Sequence, residues 1–258
     1  MPEPMAGIPT ANLRSLGGLP VAGGRIAENR LWRSDNITVS PDEQLRDLHG
    51  QGLRTVIDLR APDEVQLTGT AVLERNGIRH VHQPMTRKSA DPATLAATFD
   101  SITDYTGVGD WYLRLARARS AVLLDSIREI AASDGGVLFY CTAGKDRTGV
   151  LAAVILLLLG ADDDVVIEDY ARTGDFVDGV HRRHAEATGR PMPSTEFPDH
   201  PILHAHRDSM AAFLRGVHAD GGVVPLLSSA AGTGEDEGTR AQVESLAGHL
   251  HERLVGRG

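Results

Sequence analysis

The sequence predicts an α/β protein with a mainly parallel central sheet and helices on both faces. Three observations carry that expectation. Short β-rich runs alternate with longer helical stretches, the order that produces crossover connections and a parallel sheet. Two of those runs stop at reactive side chains, Asp58 and Cys141, and the carboxyl ends of parallel strands are where such folds hold ligands. With 258 residues and 41% hydrophobic content, one unit spanning residues 1–258 has ample core.

Taken in order, a strand candidate around 26–32 precedes Arg33. Ser40-Pro41-Asp42-Glu43 then supplies a cap, a proline at the first helical position and a glutamate three residues after the cap, with Gly52 near the stop. Thr55–Asp58 and Ile78–His82 read as strands, and Asp110 to about Ala132 as one long helix, apolar at Trp111, Leu115, Val122 and Ile130. Val137–Tyr140 is the strand that delivers the cysteine, and Val150–Leu159 an apolar helix that follows it. Helices are expected over 162–172, 176–187, 207–218 and about 239–254, with prolines 191, 193, 198 and 201 breaking a loop and 232–238 forming a polar hinge. The segment 171–206 is a candidate lid, or simply a helical extension of the core.

Composition narrows the function. A net charge of −9 argues against a broad nucleic-acid surface, though a local basic pocket is compatible with it. One cysteine excludes an internal disulfide framework and fits a reducing compartment. The first twelve residues lack the basic flank and apolar core of a secretory signal, and the longest apolar stretch has ten residues, too short for a bilayer. The expectation is a cytoplasmic protein with no membrane span. Histidines 200, 204 and 206 sit in a proline-rich polar segment and are expected to be solvated, so no metal and no cofactor is assigned.

The chemistry concentrates at 141–149, Cys-Thr-Ala-Gly-Lys-Asp-Arg-Thr-Gly. A loop between strand and helix can turn its N–H groups inward, and the helix N-terminus adds partial positive charge. Arg147 can grip two phosphate oxygens through its planar fork, and the same field favours ionised sulfur at Cys141. Cys-x5-Arg alone is weak; Gly144, Thr148-Gly149 and the strand and helix placement make it specific. Of only two lysines in the chain, Lys145 is in this loop. A nucleotide-binding loop is excluded, because it would need glycine at Phe139 and a hydroxyl at Asp146.

These residues predict a phosphomonoesterase working through a phosphocysteine intermediate. Cys141 is the nucleophile, backbone N–H groups from Thr142, Ala143, Gly144 and Lys145 to Arg147 hold the phosphoryl oxygens, and the Thr148 hydroxyl bonds the sulfur. The leaving-group proton comes from Asp146 or from Asp58, and the alternative for Asp58 is an orienting bond to the loop. Arg33 and Arg60 hold loops or substrate anions, or form ion pairs with acids such as Asp35 or Glu64.

The loop resembles that of the atypical bacterial tyrosine and lipid phosphatases, the mycobacterial protein tyrosine phosphatase B group above all. Asn12-Leu13-Arg14-Ser15-Leu16-Gly17-Gly18, Leu31-Trp32-Arg33-Ser34, Asp58-Leu59-Arg60 with Glu64, and Asp169-Tyr170 resemble further motifs of that family in the same order. Tyr140 departs from it, standing where the family usually has histidine. The resemblance implies a tyrosine phosphatase-like fold, no metal, Asp146 as the acid, Lys145 reaching the substrate, and helices covering the site. Substrates are then phosphotyrosine proteins, with dual or phosphoinositide specificity, or, as the alternative, a small phosphorylated sugar, nucleoside or biosynthetic intermediate. A non-catalytic phosphate-binding regulator, a sulfurtransferase and a multi-cysteine arsenate reductase fit the residues less well.

Overall fold

A computed structural model describes residues 7–89, 92–190, 199–229 and 237–257. The strands are β1 (Arg14–Ser15), β2 (Pro20–Val21), β3 (Gly24–Ile26), β4 (Leu31–Ser34), β5 (Leu53–Asp58), β6 (Arg79–His82), β7 (Gly136–Tyr140) and β8 (Val255–Arg257). The helices are α1 (Asp42–Gly50), α2 (Pro62–Thr68), α3 (Ala71–Arg75), α4 (Pro92–Ser101), α5 (Tyr105–Ala118), α6 (Ser120–Ala132), α7 (Asp146–Leu158), α8 (Asp163–Ala171), α9 (Val177–Thr188), α10 (Arg207–Ala219), α11 (Val223–Ser228) and α12 (Glu237–Leu254).

The main sheet runs β1-β4-β7-β5-β6, parallel except for the antiparallel edge strand β1. Its register sets Ser34 and Asp58 on either side of Tyr140, so three strand ends converge on the residue before the cysteine. Alternation along each strand feeds two cores. On one face Trp32, Val56, Leu138 and Tyr140 pack with Leu45 and Leu48 of α1 and Val72 and Leu73 of α3. On the other, Leu31, Ile57, Val137 and Phe139 pack with α5, α6 and α10 around α7, whose residues from Thr148 to Leu156 are all buried. Helices on both faces and a mainly parallel sheet are as the sequence predicts.

Several boundaries differ. The stretch 110–132 is two helices that part at Arg119 (φ −126°, ψ 21°), because α5 packs on α10 while α6 turns back over α11 and α12. Ser40 is not the cap of α1: the helix begins after Pro41, and the Ser40 hydroxyl instead accepts from Arg183 at 2.8 Å. Arg33 lies inside β4 rather than after it. The small sheet β2-β3-β8 went unread, its strands being two or three residues long. The hinge at 232–236 and most of the proline-rich loop, 191–198, lie outside the described residues. Among the described residues, no helix is long and apolar enough to cross a membrane.

Candidate active site

The loop between β7 and α7 is held from outside by its carbonyl groups. Asn36 N donates to Thr142 O at 3.1 Å, and Asn12 Nδ2 to both Ala143 O and Gly144 O at 3.2 Å. Arg33 Nη2 reaches Gly144 O at 2.8 Å. The N–H groups of Thr142 to Lys145 have no acceptor among the described residues. Carbonyls pulled outward and amides left unpaired make a concave donor array ahead of a helix N-terminus, the geometry of an anion nest. Gly144 is required for it: φ is +68°, and a Cβ there would lie 2.5 Å from Ser34 O.

Cys141 enters this loop at 1% exposure, directly after the buried strand β7. Arg147, the second residue of α7, faces Glu64 of α2 in a two-pronged pair, with Nη2 donating to Oε1 at 2.9 Å and Nη1 to Oε2 at 2.5 Å. Glu64 also accepts from the Thr142 hydroxyl and from Ala61 N (2.8 Å), so its carboxylate is fixed before Arg147 meets it. Burial alone would raise the Glu64 pKa; the Arg147 charge and these hydrogen bonds override it and hold the group at about 2. Arg147 responds in kind: burial lowers its pKa, but Glu64 and Cys141 drive it well above its ordinary value.

A depressed carboxylate contributes stability that is present above its unfolded pKa of about 4.5 and is lost as pH falls towards 2. The contribution is about 3 kcal/mol. Glu64→Gln is therefore expected to flatten the loss of melting temperature between pH 5 and 2, measured by thermal denaturation across that range. An unchanged acid limb would count against the pairing.

Asp146 opens α7 with its side chain 26% exposed. It accepts from the Tyr112 hydroxyl at 2.6 Å, and Tyr112 shares a 2.7 Å hydrogen bond with Tyr170. Burial first, and the Asp146 charge second, push Tyr112 far above its usual pKa, so it stays a neutral donor. Lys145 Nζ lies 3.3 Å from Asp146 Oδ1 and donates to Ile202 O, in the 3-10 turn Pro201–Leu203. Thr148 Oγ1 is buried without a hydrogen-bond partner among the described residues.

Of the two roles open to Asp58 and Arg60, the structure shows the pair bonded to each other at the strand end that feeds the loop. Asp58 is fully buried, accepts from Arg60 Nε (2.9 Å), Arg60 Nη2 (2.6 Å) and the Tyr140 hydroxyl, and lies 3.3 Å from His80 Nε2. Burial alone would raise its pKa, but these partners hold it well below the carboxylate range, so it has no proton to give near neutral pH. Arg60 is consumed by Asp58 and Tyr140, its guanidinium 5.0 Å above the tyrosine ring. Arg33 is likewise turned inward, onto Asp169 and the loop carbonyl. Arg33 braces the loop and Arg60 the strand end that feeds it, and their acids are Asp169 and Asp58 rather than Asp35 or Glu64.

α9 packs beside α2 and the end of β4. Its Arg183 is buried and donates to Ile8 O, Asp35 Oδ2, Asn36 O and Ser40 Oγ, clamping the helix to the N-terminal segment and the end of β4. Burial lowers the pKa of both His181 and His184; Lys145 reinforces it at His181 and Glu64 opposes it at His184, which places the two rings by the loop. Beside them is a groove of about 650 Å³ lined by Tyr105, Val177, His181, Arg182, Leu203 and His204. His200 and His206 have structural duties: each caps a helical turn, and each stacks on an aromatic ring, Phe99 and Tyr105.

Glu64, Tyr112, Tyr170 and Arg183 were not singled out as site residues by sequence reasoning. Glu64 had a signal, its place three residues into a helix that follows the Asp58 strand. Tyr112 and Arg183 had none, since each meets the site across 34 and more than 140 residues of chain.

The family model for the tyrosine phosphatase family matches residues 7–244. The chain belongs to the tyrosine phosphatase family. It is 32% identical over 232 residues to a Cupriavidus necator protein assigned as a tyrosine-protein phosphatase, covering 83% of this chain and 78% of that one. It is 28% identical over 183 residues to the triple specificity protein phosphatase PtpB of Mycobacterium tuberculosis, covering 61% and 65% of the two chains. Among solved structures, a cysteine-to-serine variant of TpbA from P. aeruginosa in complex with phosphotyrosine is 18% identical, with a TM-score of 0.40 over 81% of this chain and 90% of that one. This tyrosine phosphatase family member is accordingly a phosphoric monoester hydrolase.

Proposed function

We propose that this family member hydrolyses phosphate monoesters through a phosphocysteine intermediate on Cys141. The observation that carries the reading is the loop itself: amides without an acceptor among the described residues, a thiol and a guanidinium held in place by Glu64 lie within the stretch Cys141–Arg147. The Cys141 thiolate attacks phosphorus, the bond to the leaving oxygen breaks, and Asp146 transfers its proton to that oxygen. Amides 142–147 and the Arg147 fork hold the three equatorial oxygens as charge shifts onto them. Water then attacks the phosphocysteine, giving a proton to the Asp146 carboxylate left by the first step, and the P–S bond breaks to release phosphate and the Cys141 thiolate. The unclaimed Thr148 hydroxyl is suited to bonding the sulfur as it leaves. Asp58, ionised and enclosed, is excluded from the acid role in this scheme.

We assign residues 1–258 to one phosphatase unit, with 171–206 as a cover over the mouth. Arg183 clamps that cover at one end, and the hold of Lys145 on Ile202 O secures it at the other. Lys145 reaches substrate in this reading only by releasing Ile202.

For substrate we favour phosphotyrosine protein, with phosphoinositide or dual specificity as an extension suggested by the relative whose name states triple specificity. One observation favours a small polar phosphate ester instead. Tyr112, Tyr140 and Tyr170 are all buried behind the loop, so their rings do not stack on an incoming phenyl group. The test is kcat/KM for phosphate release from phosphotyrosine peptide, phosphoinositide, sugar phosphate and nucleoside phosphate, with Cys141→Ser as the blank. A lead for phosphotyrosine or lipid supports the first reading, a lead for one metabolite the second. No Cys141-dependent release from any of them overturns both.

A further inference from the structure

Behind the phosphate loop, on the side away from the mouth, two arginines share one carboxylate. Arg14 Nε donates to Asp169 Oδ1 at 2.9 Å and Arg33 Nη1 to Asp169 Oδ2 at 2.5 Å. All three are buried, at 7%, 0% and 3% exposure. The other buried arginines packed around the loop each face one carboxylate of their own: Arg147 has Glu64, Arg60 has Asp58 and Arg183 has Asp35. The Arg14–Arg33–Asp169 cluster therefore leaves one positive charge in excess. Arg172, an exposed cation beside it, adds to the excess.

The hydrogen bonds leave the excess uncancelled. Arg14 donates its remaining N–H groups to Asn12 Oδ1, Asp169 O (2.7 Å) and Thr173 Oγ1 (3.1 Å), all formally neutral. Arg33 has Gly144 O and, at Nε, no partner among the described residues. The strain shows in Arg14, whose pKa is drawn down to about 10 by burial first and by the Arg33 charge second. An uncompensated buried charge is expensive to keep unless something answers it. The cluster meets the loop twice: Arg33 Nη2 bonds Gly144 O directly, and Arg14 acts through the Asn12 that holds Ala143 O and Gly144 O.

We propose that Arg14, Arg33 and Asp169 form a buried electrostatic brace whose single excess charge stabilises the anion held on the opposite side of the loop. Asp169 sets the strength of that field. Arg14 and Arg33 are positioning residues: neither touches the phosphate, and their charge reaches it through the low-dielectric loop. The proposal deepens the phosphatase reading and rests on it.

Charge and structure predict opposite signs, so the two are separable. The measurement is isothermal titration of inorganic phosphate into Cys141→Ser protein, where no thiolate competes, with circular dichroism and melting as fold controls. Adding Arg14→Gln removes the excess charge and is expected to weaken phosphate binding by about tenfold. Adding Asp169→Asn as well restores one excess charge, and affinity should return to within about threefold of the parent, although two sets of buried hydrogen bonds are now broken. Asp169→Asn alone should tighten binding by about tenfold, and it carries the test if Arg14→Gln does not fold. A double variant that binds more weakly than Arg14→Gln, or an Arg14→Gln protein with unchanged affinity, overturns the brace while leaving the phosphatase reading intact. A parent protein that binds no phosphate overturns that reading itself.

Discussion

Cys141→Ser is expected to lower kcat for an aryl phosphate by about 10⁴-fold or more, the scale seen when a nucleophile is removed from a unit that acts together. A serine hydroxyl is a far weaker nucleophile than a thiolate, and no described base stands beside it to take the proton. Phosphate affinity should survive, because the amides of 142–147 and the Arg147–Glu64 pair do not depend on the sulfur. Initial rates and direct phosphate titration on the same protein separate the two effects. Turnover within tenfold of the unaltered protein would show that the phosphoryl group never passes through Cys141.

Asp146→Asn should cost about 10²–10³-fold on alkyl phosphates and much less on nitrophenyl phosphate, since proton donation matters in proportion to the basicity of the leaving oxygen. The asparagine keeps an acceptor for the Tyr112 hydroxyl, so the α5–α7 contact is retained and the loss can be read as chemistry. Tyr112→Phe provides the contrast. It removes the donor that holds Asp146, and a smaller loss, about tenfold, is expected on both substrates because the carboxyl group is misplaced rather than absent. Equal activity of Asp146→Asn on both ester classes would remove Asp146 from the acid role, with Asp58 too enclosed to replace it.

What the sequence disclosed follows the range of the interactions involved. The Cys141–Gly149 loop is contiguous, its strand and helix are next to it, and its fold and chemistry were readable together. The parallel sense of the sheet needed only the alternation of runs, whereas the strand order β1-β4-β7-β5-β6 depends on which distant runs pair. Partner identity was another matter. Arg33 and Arg60 were recognisable as important, yet the acids that claim them, Asp169 and Asp58, could be told from Asp35 and Glu64 only in three dimensions. Arg60 meets its acid two residues away, Arg33 across 136. The break at Arg119 was hidden for the same reason: local propensity continues through it, and what divides α5 from α6 is the different surface each must cover. Glu64 was visible as part of a motif, but its grip on Arg147 depends on the turn that brings α2 over the loop.

The chain holds one thiol, and that thiol sits at the foot of the phosphate loop. Counting sulfhydryl groups and counting working enzyme molecules thus become the same assay under this mechanism. One equivalent of a mass-tagged alkylating reagent per chain, blocked by bound phosphate, would report the competent fraction of any preparation without a substrate being known.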